Sequence, residues 1–169
     1  NPKGTVLAIA GDMDLAPEAI SARPEIQGAL TGKEHSGFWP QSNGVLQVVT
    51  VPIAIGLNRP ELLGTLTLGF RLDDQLAEQL KRVTESDIAF AVDGQIKAST
   101  LPARDRAQLA SLLNAKGVQT VSFGDSQYVA LARPLSSTPG PAVLILRSRT
   151  ERLRFLNAIH TGLAAMAVI

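Results

Sequence analysis

Between Gly64 and Lys81 the chain changes period once. Leu66, Leu68 and Phe70 alternate with Thr65, Thr67 and Gly69, the period of two that puts one face of a strand on a core. From Asp73 the spacing turns helical, with Leu72, Leu76, Leu80 and Val83 on one stripe. Asp73 and Asp74 fall in the first turn and Lys81 and Arg82 in the last, as the helix dipole favours. A core strand running directly into an amphipathic helix is therefore expected. The event recurs: 142–146 reads as a strand, and Ser148 with Glu151 has the capping-box spacing that opens a helix through Leu153, Leu156 and Ile159.

The remaining elements follow from the same two periods and from turn residues. Positions 1–4 have turn composition and 5–10 reads as a short strand. Positions 11–20 are expected as loop with a helical turn at Pro17 and Glu18, and 21–30 as a helix with Pro24 and Glu25 in its first turn. Strands are expected at 36–41 and 45–53 around Ser42-Asn43-Gly44, a hairpin signal, with Pro52 ending the second. Positions 54–63 read as loop. Further strands are expected at 87–92 and 95–99 around Asp93-Gly94, a helix at 103–113, and strands at 118–123 and 127–134 around Gly124-Asp125.

These elements overlay as two copies of one unit. Positions 48–53 match 130–135, 67–71 match 143–147, and 4–8 match 94–98. Each copy reads strand, strand, helix, three strands, helix. The first copy lacks its opening strand, because the chain begins at the turn that would follow it. The expectation is a fragment of a longer protein.

The unit order, carried by Ser21-Ala-Arg-Pro-Glu-Ile-Gln-Gly-Ala-Leu-Thr-Gly32, Ser36-Gly-Phe-Trp39, 47–52, 63–70 and 87–99, resembles that of PAS-like domains. Two in tandem resemble a double Cache extracytoplasmic sensor. The resemblance implies an α+β fold of two tandem PAS-like units, each a mainly antiparallel sheet with flanking helices, followed by a C-terminal helix. The first, membrane-distal unit is expected at 1–83, including a connecting helix at 73–83. The membrane-proximal unit is expected at 84–150, and a helix leading to a membrane span at 151–169. In the family a long amino-terminal helix follows a first span; here span, helix and first strand are absent. The aromatic–Arg–Trp–Asp pattern of the amino-acid-binding members is absent too, so an amine ligand is not implied.

Composition narrows the chemistry. With 169 residues and 45% hydrophobic content the chain can bury one or two small cores. A net charge of +1 leaves no electrostatic footprint for nucleic acid. Zero cysteines exclude disulfides and thiolate chemistry. His35 and His160 lack metal-ligand spacing, so no metal and no cofactor is expected. Asp73 and Asp74 could form an acid pair, but a helix start favours capping. No catalytic constellation is present, and the chain is expected not to be an enzyme.

Binding is the stronger expectation. A curved antiparallel sheet can hold a small molecule beneath helix and loop segments. In the first unit Arg23, Trp39, Gln47, Thr65 and Thr67 are placed to line such a pocket. Arg23 can take a carboxylate in bidentate fashion, and Trp39 can stack on a ligand while its N–H donates. The structural alternative makes Arg23 a surface group, Trp39 a core cover and the threonines ordinary strand residues. The second unit, with Phe90, Val92, Ile96, Val143 and Ile145, reads as a packed relay with Tyr128 as its polar exception. Leu153, Leu156, His160 and Leu163 form a coiled-coil-like seam, fitted either to packing on its own sheet or to a dimer stalk.

The expected function is the extracytoplasmic ligand-sensing input domain of a bacterial transmembrane receptor: a histidine kinase, nucleotide cyclase or chemotaxis transducer. It would be periplasmic or extracellular, homodimeric, tied to the membrane through flanking spans, and would bind an unidentified small molecule. The alternative is a dimerisation or protein-interaction module of the same fold without a small-molecule ligand.

Overall fold

The computed structural model describes residues 1–11, 13–56, 60–136 and 140–150. The chain divides into two compact units, residues 1–72 and 73–169. The helix expected to close the first unit thus belongs with the second. Both units are built on antiparallel sheets.

In the first unit, helix α1 (Pro17–Ser21) forms where a helical turn is expected at Pro17 and Glu18, and α2 (Pro24–Ala29) forms within the helix expected at 21–30. The break lies at Arg23, held extended (ψ 140) because Pro24 behind it disfavours the helical region. Strands β1 (His35–Gln41), β2 (Gly44–Ile55) and β3 (Glu61–Leu72) form a sheet in that order. β2 runs through Pro52 instead of ending there. β1 stops opposite Thr50, so beyond that point β2 carries only the β3 ladder, and a residue without an N–H is tolerated. The core is Ile20, Ile26, Trp39, Leu46 and Val48, with Val6, Met13, Leu15 and Leu30 against it. Positions 5–10, expected as a strand, take no sheet pairing.

One face assignment reverses. Leu66, Leu68 and Phe70 are 49%, 56% and 61% exposed, while Thr65, Thr67 and Arg71 are half-buried on the core side. Register decides this: Arg71 lies opposite Leu46 and Gly69 opposite Val48, both core residues. The Leu46 side chain leans across β3 so closely that a Cβ on Gly69 would stand 2.9 Å from it.

The second unit opens with α3 (Asp74–Thr84). Asp73 caps it, accepting the Leu76 amide at 3.0 Å, so the capping role holds. Asp74 accepts from the Ser99 amide at 2.7 Å. Strands β4 (Asp87–Val92), β5 (Gln95–Ser99), β6 (Val118–Phe123), β7 (Ser126–Pro134) and β8 (Ala142–Ser148) form one sheet in the order β5-β4-β8-β7-β6. This five-stranded antiparallel sheet with flanking helices is PAS-like. A short 3-10 turn at Ala103–Asp105 leads into α4 (Arg106–Leu112). Leu109 is fully buried against Ala89, Ala91, Leu144 and Leu146.

The repeat is visible in the ladders. Trp39 faces Leu46 across the β1–β2 hairpin, as Val121 faces Tyr128 across β6–β7, and both hairpins have two-residue loops. Gly4 and Gly94 share φ values of 78° and 76°. Register corrects one sequence match. Pro52 pairs with Thr65 and Pro134 with Ala142, so Thr67 corresponds to Leu144, not to Val143. A one-residue slip exchanges the faces, which is why the leucines of β3 point outward.

At the start of the second unit, Asp87, 8% exposed, accepts from Lys81 Nζ at 2.7 Å and Thr100 Oγ1 at 2.7 Å. The Asp87 hydrogen bond raises the Lys81 pKa, against desolvation. The raised value means the pair's contribution is complete below the unfolded lysine pKa and fades as pH climbs through the folded one. Asp87→Ala is expected to cost about 1–3 kcal/mol, since it removes the acceptor of the half-buried Thr100 hydroxyl and of Lys81 Nζ. Chemical denaturation at neutral pH measures it, and most of the loss should persist in 1 M salt, where an exposed ion pair would be screened.

Candidate functional site

The first unit holds a cavity of about 470 Å³. Its floor is the inner sheet face, built by period-two alternation: Trp39 from β1, Leu46 and Val48 from β2, Thr65, Thr67 and Arg71 from β3. Ile20 and Ile26, the buried positions of α1 and α2, wall it on one side, and the extended stretch 4–11 walls another.

Trp39 is 1% exposed. It lines the cavity, but its N–H is already engaged, donating to Glu25 Oε2 at 3.0 Å. Gly37 permits this: a Cβ there would collide with the Glu25 carboxylate. Arg23, at the N-cap of α2, sets its guanidinium 5.6 Å from the Trp39 ring centroid, a cation–π contact, and does not line the cavity. Thr67 and the fully buried Thr50 share a hydroxyl–hydroxyl hydrogen bond of 2.9 Å. Gln47 is exposed and pairs with Phe38 and Phe70 on the outward face. Of the five residues singled out by sequence, the structure therefore brings Trp39, Thr65 and Thr67 together at the cavity. Arg23 stands behind Trp39 and Gln47 faces away.

Two contributors escaped sequence reading. Arg71 lies on the same alternation as Thr65 and Thr67, a signal that was present. Asp14 fastens the loop after position 11 to the β1–β2 turn. It accepts from the Ser42 amide at 2.8 Å and the Ser42 hydroxyl at 2.6 Å, while its own amide donates to Gln41 Oε1 at 3.0 Å. Nothing in the local sequence foretells that pairing. The Ser42 hydroxyl and amide hold the Asp14 pKa below its ordinary 3.8, with the Arg71 charge adding least. A depressed value means the clasp stabilises above the ordinary carboxylate range and is lost as pH falls through the folded value. Melting curves between about pH 5 and pH 2 should therefore decline less steeply for Asp14→Asn than for the parent chain.

Among the described residues no cluster of His, Asp or Glu is placed to hold a metal ion, and no helix is long and apolar enough to cross a membrane. The helix expected at 151–169, with its dimer seam and His160, lies outside the described residues.

No protein-family model and no curated protein matches the chain. Solved structures similar to it include the periplasmic domain of LuxQ from Vibrio cholerae, 17% identical with a TM-score of 0.43, covering 77% of this chain and 61% of that one. The ligand-binding domain of the Pseudomonas aeruginosa amino-acid chemoreceptor PctC, solved with GABA, is 16% identical with a TM-score of 0.42, covering 79% and 65%. That of the Pseudomonas fluorescens chemoreceptor CtaA, solved with L-serine, is 11% identical with a TM-score of 0.44, covering 82% and 66%. The chain spans less than two thirds of each.

Proposed function

We propose that this chain is the extracytoplasmic ligand-sensing input domain of a bacterial transmembrane receptor, whose output is a histidine kinase, a nucleotide cyclase or a chemotaxis transducer. It acts without catalysis, and its ligand sits in the first unit. The observation that carries the reading is the cavity itself. At about 470 Å³ it falls within the range of small-molecule sites, and it joins an apolar floor to a few convergent polar groups. Thr65 and Thr67 offer hydroxyls, and Arg71 a guanidinium suited to a carboxylate or another small anion. Signalling is a population shift: a ligand moves the equilibrium only by its difference in affinity between two arrangements of the unit.

A thermal-shift screen of the chain with organic acids, amino acids and sugars tests the reading. A true ligand at a hundredfold excess over its Kd adds about 2.7 kcal/mol, growing with concentration. Arg71→Gln should weaken an anionic ligand at least tenfold. Thr67→Ser should bind nearly as the parent does, whereas Thr67→Val loses both binding and about 1–3 kcal/mol of stability, because Thr50 is left unpartnered. If no compound raises the melting temperature, the sensing reading fails.

The exposed outer face of Leu66, Leu68 and Phe70 favours a second reading, a partner-docking module of the same fold. That reading predicts no response in the screen, together with self-association or partner capture lost on Phe70→Ser.

A further inference from the structure

The sheet of the second unit ends in two edge strands, β5 and β6. An edge strand offers unpaired backbone groups to any other chain, and proteins blunt it with lysine, proline or a bulge. β5 carries two of these guards at one residue. Phe90 pairs with Ala98 and Ala91 with Ile96, so Lys97 is the extra residue of a bulge. β6 carries none of them. Its sequence Val-Gln-Thr-Val-Ser-Phe holds no charge and no proline, its register with β7 is unbroken, and Val118 is 63% exposed.

Hairpin geometry says which backbone groups of β6 face out. Gly124-Asp125 is a two-residue loop between Phe123 and Ser126, and the pair that closes such a loop exchanges hydrogen bonds. Alternation then turns the N–H and C=O groups of Phe123, Val121 and Gln119 toward β7, and those of Ser122, Thr120 and Val118 toward the open edge. One bond from outside the ladder agrees: Ser122 O accepts from Gln108 Nε2 of α4 at 3.1 Å, and a carbonyl keeps a second lone pair. Two copies of β6 laid antiparallel about a two-fold axis at Thr120 overlap along the whole open stretch. Thr120 stands opposite itself and Val118 opposite Ser122. Beyond the strand ends, this register sets Lys116 opposite Gly124 of the second copy, one position from its Asp125. Lys116 and Asp125 are exposed, and neither makes an ion pair among the described residues.

We propose that β6 is a contact between two copies of this chain, paired edge to edge across a two-fold axis at Thr120. The occupant is a second copy because the edge is self-complementary. One register satisfies the open backbone groups of both strands and brings Lys116 to Asp125 twice, once on each side of the axis. Exposed ion pairs add little strength; here they fix the register, and the backbone ladder holds the contact. Growth stops at two copies, since the outer edges of the joined sheet are then both β5, guarded by Lys97. This surface is separate from the terminal seam at 153–163 and from the outer face of Leu66, Leu68 and Phe70, and it does not depend on a ligand in the cavity.

Sedimentation equilibrium of the chain from the micromolar to the millimolar range, with hydrogen exchange of the amides at 118–123, tests the proposal. The expected result is a monomer–dimer equilibrium in which the Val118, Thr120 and Ser122 amides gain about tenfold in protection as dimer forms. Thr120→Lys sets like charges against each other at the axis and should weaken the dimer at least about tenfold. Lys116→Asp and Asp125→Lys should each weaken it about fivefold, and the two together, which exchange the charges of each pair, should restore it to within about twofold. A chain that stays monomeric throughout, growth past two copies, a dimer untouched by Thr120→Lys, or a double exchange as weak as the single ones overturns the proposal. Should Thr120→Lys fail to fold, the charge exchange at the exposed Lys116 and Asp125 decides alone. A dimer lost on Phe70→Ser and kept on Thr120→Lys belongs to the outer face of the first unit, and also overturns it.

Discussion

Trp39→Ala is expected to destabilise the first unit by about 3–5 kcal/mol, the usual cost of removing a buried aromatic from a core that only partly collapses. Three features place it at the upper end. The side chain is 1% exposed, its loss leaves the Glu25 carboxylate without its indole donor, and the Arg23 guanidinium loses the ring beneath it. In so small a unit this is a large share of total stability. Loss of ligand binding in Trp39→Ala would therefore report unfolding and not recognition. Trp39→Phe keeps most of the volume and separates the two: it should fold, lose about 1–2 kcal/mol through the unpaired carboxylate, and retain binding if the ligand touches only the ring face. Urea denaturation followed by circular dichroism, beside the thermal-shift response, makes the comparison. A loss below 1 kcal/mol for Trp39→Ala would mean that the indole is not the keystone of this core.

Leu109→Ala carries the second large effect, about 2–5 kcal/mol. Leu109 is the one fully buried residue of α4, set among Ala89, Ala91, Leu144 and Leu146. Ala89 and Ala91 beside it are too short to spread into the vacated volume, so a cavity term is expected. Val83→Ala is the matched comparison. Val83 is also a helical apolar residue, but it is 83% exposed, and its replacement should change stability by no more than about 0.5 kcal/mol. Guanidinium denaturation of both variants decides this. If the two changes cost the same, burial in the second unit has been misassigned.

Much of the fold was legible because hairpin chemistry is local. Ser42-Asn43, Asp93-Gly94 and Gly124-Asp125 each name a turn, and each joins two strands. The period change at Asp73 was legible for the same reason: a carboxylate able to cap needs only the amide three residues on. The start of α2 was legible too, in Pro24 and Glu25, which suit a first turn.

The candidate site was legible only in part. Thr65, Thr67 and Trp39 reach one cavity because period two and hairpin register carry them there. Arg71 follows from the same alternation. Gln47 was assigned to the wrong side, since a middle strand gives no local indication of which of its faces is inward. The Asp14–Ser42 clasp, 28 residues apart in the chain, and the Glu25–Trp39 bond, 14 apart, join loops and helices whose approach no local pattern encodes.

By itself the sequence determined the hairpins and most of the helices, because helix and strand periods, caps and hairpin turns depend on neighbours within a few positions. Only the tertiary structure decided which face of β3 is inward, since alternation fixes two faces without saying which one meets the core.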